Sequence, residues 1–138
     1  MKTILLVLAT LLCVFSANAQ EKREAYKIVF QLVTNDTLAH KALMKQLSNI
    51  TLVEPATQIE VVCHGPGLAI LHKDKSAVKD KIGQFSKQGV SFNACEFSMK
   101  ERNVSKDELI SEIGFVKAGI LHIVERQSQG WFYIKAGF

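Results

Sequence analysis

Cys63 and Cys95 are the side chains of this sequence whose type most directly suggests chemistry, because a thiolate attacks sulfur and binds soft metals. His64 follows Cys63 and offers an acid/base or a ligand, although a histidine in a turn commonly does no more than bond the backbone. Cys63, His64 and Cys95 lack the regular spacing of a zinc site, so no metal is expected. Each cysteine also has a plain reading. Cys63 suits a buried strand or a disulfide, and Cys95 suits either a small apolar core position or an exposed nucleophile. Other constellations are missing from the sequence: there is no serine nucleophile elbow and no pair of carboxylates at a strand end. Gly65-Pro66-Gly67 is too short to cradle phosphate and carries a proline where a donor would be needed, so no cofactor is expected.

The elements that must position these residues are legible from periodicity. Tyr26 to Val33 is rich in β-branched and aromatic residues and predicts a buried strand that ends at Thr34-Asn35-Asp36-Thr37. Ala39, Leu43, Leu47 and Ile50 then recur at helical spacing until Glu54-Pro55. Gln58 to Cys63 predicts a second strand, His64-Gly65-Pro66-Gly67 a turn, and Leu68 to Leu71 the start of a helix. Ser76 is placed to cap a helix whose inner face holds Val78, Ile82 and Phe85 and which Gly89 ends. Val90 to Ala94 predicts a third strand with Cys95 at its carboxyl end, followed by a loop, Cys95 to Lys100. Ser105-Lys106-Asp107-Glu108 has the form of a capping box and predicts another helix. Ile113 to Val116 suits a short strand, Ile120, Val124 and Gln127 form one helical stripe, and Trp131 to Lys135 closes the chain as a strand. Strands alternating with helices predict an α/β fold with a parallel sheet covered on both faces.

Composition agrees with one globular domain: the 138 residues are 48% hydrophobic and 22% charged. Residues 1–19 read as a secretory signal, with Lys2, the apolar stretch Ile4 to Phe15 and a small-residue site at Ser16-Ala17-Asn18-Ala19; Cys13 leaves with it. The remainder, residues 20–138, is expected to be a single domain without a membrane span, exported and in an oxidising compartment. It carries 16 basic and 13 acidic side chains, too even a balance for nucleic acid. The lysines from Lys73 to Lys87 read as a solvated helix face. His40, His72 and His122 fall on helices or their ends and carry no motif. Three Asn-x-Ser/Thr triplets, at Asn35, Asn49 and Asn103, are met, and helix capping by Thr37 and Ser105 accounts for two of them.

In an open parallel sheet ligands collect at the carboxyl ends of the strands. The loops at Asn35, at Cys63-His64-Gly65 and at Cys95-Glu96 share that edge. If the second and third strands are neighbours, about 4.8 Å apart, a Cys63–Cys95 disulfide becomes attainable. Lys100 or Arg102 would favour a Cys95 thiolate and Glu96 would oppose it.

Gly89-Val90-Ser91-Phe92-Asn93-Ala94-Cys95, then Met99 and the capped segment at Ser105, resembles the third-strand region of the DsrE/TusD sulfur-relay proteins. The Asn-rich exit of the first strand, the His64-Gly65-Pro66-Gly67 turn and Gln129-Gly130-Trp131-Phe132-Tyr133-Ile134 extend the resemblance from about Tyr26 to Ile134. It implies a three-layer α/β/α sandwich with a five-stranded, mainly parallel sheet whose last strand returns beside the first. It also implies a trimer or hexamer, and a Cys95 that accepts sulfane sulfur as a persulfide from a donor protein and passes it to an acceptor. Cys63, His64, Gly65, Asn35, Asn93 and Glu96 are the residues expected to bind or flank at that site. The export signal and Cys63 depart from the relay pattern, and Cys63 then suggests a disulfide or a resolving thiol. A bacterial periplasmic protein working by sulfur transfer or thiol redox chemistry is the resulting expectation. The alternative is a non-enzymatic oligomeric module stapled by a Cys63–Cys95 disulfide.

Overall fold

The computed structural model describes residues 24–137, so the leader expected at 1–19 lies outside the described residues. The elements are β1 (Lys27–Leu32), α1 (Thr37–Val53), β2 (Gln58–Cys63), a 3-10 segment (Gly65–Leu71), α2 (Lys79–Lys87), β3 (Ser91–Cys95), α3 (Glu96–Glu101), a 3-10 turn (Lys106–Glu108), β4 (Gly114–Val116), α4 (Gly119–Ser128) and β5 (Phe132–Ala136). The five strands form one sheet in the order β4-β3-β2-β1-β5, and every pairing is parallel. The last strand therefore lies beside the first, at the edge.

That order explains the layers. From β1 to β4 the chain steps one way across the sheet, and short crossovers of one hand place α1, the 3-10 segment and α2 on the same face. The return from β4 to β5 runs the other way and puts α4 on the opposite face. Alternation along each strand matches. Phe30, Leu32, Val61, Cys63, Phe92 and Ala94 point into the larger core with Leu43, Met44, Leu47, Ile82 and Phe85. Val29 and Val62 point the other way, to Ile123 of α4. Full burial of one such side chain stabilises by about 1.5–3 kcal/mol, so the larger core carries most of the stability. The thinner layer under α4 is where polar side chains can be held.

Several sequence expectations are corrected. The residue capping α1 is Asp36, whose carboxylate accepts the Leu38 N–H at 2.8 Å, while Thr37 is the first helical residue. Ser76 caps only a turn ahead of α2, its hydroxyl accepting from Val78 N–H at 3.3 Å. The capping box at Ser105 is real but closes a three-residue 3-10 turn. No helix follows, because the chain is drawn back to the core: Ile110 N–H bonds Leu71 O at 2.9 Å and Leu109 bridges His72. The segment expected as a loop after Cys95 is helix α3. Ile120 and Val124 are 52% and 56% exposed, and α4 buries Ile123 instead.

The turn after β2 is set by backbone contact. A Cβ on Gly67 would lie 2.1 Å from the carbonyl oxygen of Leu32, so only glycine lets the 3-10 segment cross the end of β1. Gly67→Ala should therefore cost at least about 2 kcal/mol in a urea titration, whereas Gly83→Ala in α2, with nothing within 4 Å of the added carbon, should gain up to about 1 kcal/mol. Equal midpoints for the two variants would contradict this packing.

Candidate functional site

β3 and β4 deliver their chains to opposite faces: α3 leaves β3 toward the larger core through Met99, and α4 leaves β4 toward the other. A crevice opens where such exits diverge. Cys95, the last residue of β3, lies at that divergence.

Two helix amino ends converge on its sulfur. Gly119, the first residue of α4, donates its N–H to Cys95 Sγ at 3.2 Å. Cys95 is also the residue preceding α3, so the Phe97 and Ser98 amides and the Ser98 hydroxyl lie at its sulfur. Burial alone would push the thiol up, but these donors from Ser98, Gly119 and Phe97 outweigh it and hold the thiol below the ordinary cysteine value. The two amino ends are tied together, since Phe97 N–H also reaches Lys117 O at 3.3 Å. Gly119 permits the approach: a Cβ there would meet Val62, Cys95 and His64 at 3.2–3.3 Å. The same approach covers the thiol, so Cys95 is 4% exposed and the expectation of an exposed thiol is corrected.

Cys63 is elsewhere. It is in register with Ala94, and Cys95, the next residue along β3, points to the opposite face. Cys63 belongs to the larger core, is 0% exposed, and burial pushes its thiol far above the cysteine range. Both cysteines are free. The Cys63–Cys95 disulfide is thus overturned by strand alternation, and with it the resolving-thiol role. The same separation keeps Cys63, His64 and Cys95 from sharing a metal.

His64 points to the α4 face beside Gly119. Its Nε2 accepts from the Gln31 amide at 2.8 Å, and Gln31 Oε1 accepts a short hydrogen bond from Tyr133 Oη. The partner is a side chain of β1 rather than backbone. Since an amide nitrogen only donates, this arrangement holds a neutral imidazole with its proton on Nδ1, and burial lowers its pKa in the same sense. Gly65 donates its N–H to Ser98 Oγ at 2.9 Å, orienting the hydroxyl beside the thiol. Asn93 faces the α4 layer but bonds Ser91 Oγ at 3.2 Å and abuts Gly114. Glu96 pairs with Lys106 at 3.2 Å and is not among the groups that shift the thiol. Asn35 and Arg102 line a separate cleft, and neither Arg102 nor Lys100 contributes to the thiol's shift.

Sequence reasoning missed three contributors. Ser98 carried a faint signal, lying three residues after Cys95 as a first-turn residue follows its cap. Gly119 carried none, because its contact spans 24 positions. The third is an ion cluster fastening α4 to the sheet: Glu60, 8% exposed, accepts from Arg126 at 2.8 and 3.0 Å and from His122 at 2.8 Å.

The comparisons with known proteins fit this architecture. The DsrE/DsrF-like family matches residues 10–136, and the chain belongs to that family. Among solved structures it is similar to MTH1491 from Methanobacterium thermoautotrophicum, a protein of unknown function, at 30% identity and a TM-score of 0.76, covering 80% of this chain and 98% of that one. It also shares its fold with BT1422 from Bacteroides thetaiotaomicron, a conserved protein of unknown function, at 14% identity and a TM-score of 0.65, covering 79% and 93%. No curated protein matches the sequence. No described helix is long and apolar enough to cross a membrane.

Ser98→Ala removes a donor at the sulfur and the acceptor of Gly65 N–H. Loss of that hydrogen bond to the thiolate should slow alkylation of Cys95 at pH 7 by about three- to tenfold. Iodoacetamide kinetics on the folded protein test this, with Cys63 labelled only after denaturation. An unchanged Cys95 rate would contradict the role of Ser98.

Proposed function

We propose that this DsrE/DsrF-like protein is a sulfur carrier in which Cys95 accepts a sulfane sulfur and passes it on. The observation that carries the reading is the donor set of Gly119, Ser98 and Phe97 around one sulfur at the sheet's carboxyl edge. A thiolate is the attacking species, and the same donors suit the anionic terminal sulfur of a persulfide.

The chemistry balances without an oxidant. Cys95 Sγ attacks the outer sulfur of a donor persulfide; the new Sγ–S bond forms as the donor's S–S bond breaks, and the electron pair leaves on the donor thiolate. Attack by an acceptor thiolate on the outer sulfur of Cys95 reverses the exchange. His64, neutral and with a proton on Nδ1, is the nearby group suited to donate a hydrogen bond to the leaving thiolate. Access requires the Lys117–Gly119 turn to move, because Gly119 lies over the sulfur. The buried Cys63 keeps its proton and takes no part.

Two further parts of the proposal concern setting. The leader from Lys2 to Ala19 supports export to a bacterial periplasm, where a free Cys95 would serve sulfur transfer or thiol redox work. The exposed Ile120, Leu121 and Val124 of α4, with Phe132 on the edge strand β5, support assembly of identical chains into a trimer or hexamer.

One preparation tests all of this. Protein recovered from a periplasmic fraction, incubated with a low-molecular-weight persulfide and read by native and denaturing mass spectrometry, should begin at Gln20, assemble in threes or sixes, and gain about 32 Da, one sulfur atom, per chain through thiolate exchange. Cys95→Ser should abolish the gain and Cys63→Ser should keep it. A gain that survives Cys95→Ser, or none in the reduced native chain, would overturn the carrier reading; a retained leader or a monomer would overturn the setting.

A further inference from the structure

A cleft of about 310 Å³ outside the thiol site lies at the same edge of the sheet on the larger-core side. It runs between the amino end of α1, the 3-10 segment and the end of α3, and its lining holds His40, His72, Lys75 and Arg102 but no carboxylate.

Three features of this lining point to one ligand chemistry. First, Lys75 and Arg102 make no ion pair or side-chain hydrogen bond among the described residues, although Asp74 and Glu101 adjoin them in sequence. Elsewhere in the chain cations such as Lys106 and Arg126 are matched to carboxylates. Second, the histidines of the lining are already engaged and leave the two cations as its charged groups. His72 Nδ1 accepts from the Asp74 N–H at 3.4 Å and its Nε2 faces Glu108 Oε1 at 3.5 Å, the Ser105 capping bonds going to Oε2, while His40 donates from Nε2 to Thr34 O at 2.8 Å. Third, the remaining wall is apolar, with Leu68, Ala69 and Val104. Two uncompensated cations with no carboxylate in the lining select an anion, and the amino end of the 17-residue α1 adds potential of the same sign.

We infer that this cleft binds a small organic anion, a sulfonate or carboxylate on a short apolar body, with the anionic group on Lys75 and Arg102 and the body on Leu68 and Val104. The assignment is independent of the thiol chemistry, since Cys95 does not line the cleft. The two places are nevertheless adjacent: Gly65 lines the cleft and bonds Ser98, which touches Cys95.

The probe is sodium butanesulfonate added to ¹⁵N-labelled protein and followed by amide chemical shifts. Saturable shifts centred on Asn35, Gly65, Ala69 and Arg102 are expected. Lys75→Ala combined with Arg102→Ala, both exposed positions whose loss spares the core, should weaken binding by at least about tenfold. Methanesulfonate, which keeps the charge and loses the body, should bind more weakly, and neutral butanol should not saturate. Unchanged affinity in the double variant, equal binding of butanol, or shifts centred on α4 and β5 would each overturn the assignment.

Discussion

The site rests on two helix amino ends meeting at the end of one strand. A cysteine this buried would ordinarily be a neutral core residue, as Cys63 is, because desolvation penalises the thiolate. At Cys95 the donors of α3 and α4 reverse that sign. The contrast between two cysteines one register step apart on neighbouring strands isolates the cause. Both are buried, both end or nearly end a strand, and only the one facing the diverging helices is activated.

The convergence depends on α4 staying close to the sheet, and its apolar contact alone is slight: Ile123 against Val29 and Val62, with Val116 and Trp131 at the margin. The Glu60 cluster supplies the rest. Arg126 holds Glu60 through two nitrogens and lies over Trp131, 5.1 Å from the ring centre, while His122 takes the same carboxylate. A buried ion cluster contributes little net stability compared with apolar packing, but it fixes geometry, since a displaced partner leaves a buried charge uncompensated. Stability thus comes from the larger core and position from the polar layer. That division lets the weaker face carry chemistry without threatening the fold.

The sequence was informative where structure is local. Gln58 to Cys63 forms a strand with the expected bounds, the bounds of β1 and β3 differ by one residue at each end, and α1 follows its apolar spacing. Periodicity and turn residues decide such elements. It was misleading where distant contacts decide. The capping box at Ser105 promised a helix, but Leu109 and Ile110 are held by His72 and Leu71. The stripe of Ile120 and Val124 looked like an inner face and is an outer one. Helix α3, six residues long, is too short to show a period, and a cysteine is not a residue type that announces a helix start. The place of Cys95 at a strand's carboxyl end, with His64 at the same edge, was legible in the sequence, whereas Gly119 became visible only once the sheet order placed β3 beside β2 and β4.

The most direct test is the acidity of Cys95 itself. In a Cys63→Ala background, thiolate absorbance at 240 nm should titrate below the ordinary cysteine value of 9.0. Because the folded form then holds the anion more readily than the unfolded one, the stabilisation from this thiolate is present above pH 9.0 and lost as pH falls through the lowered folded value. A midpoint at or above 9.0 would show that burial outweighs the donors of α3 and α4, and the account of the site would fail.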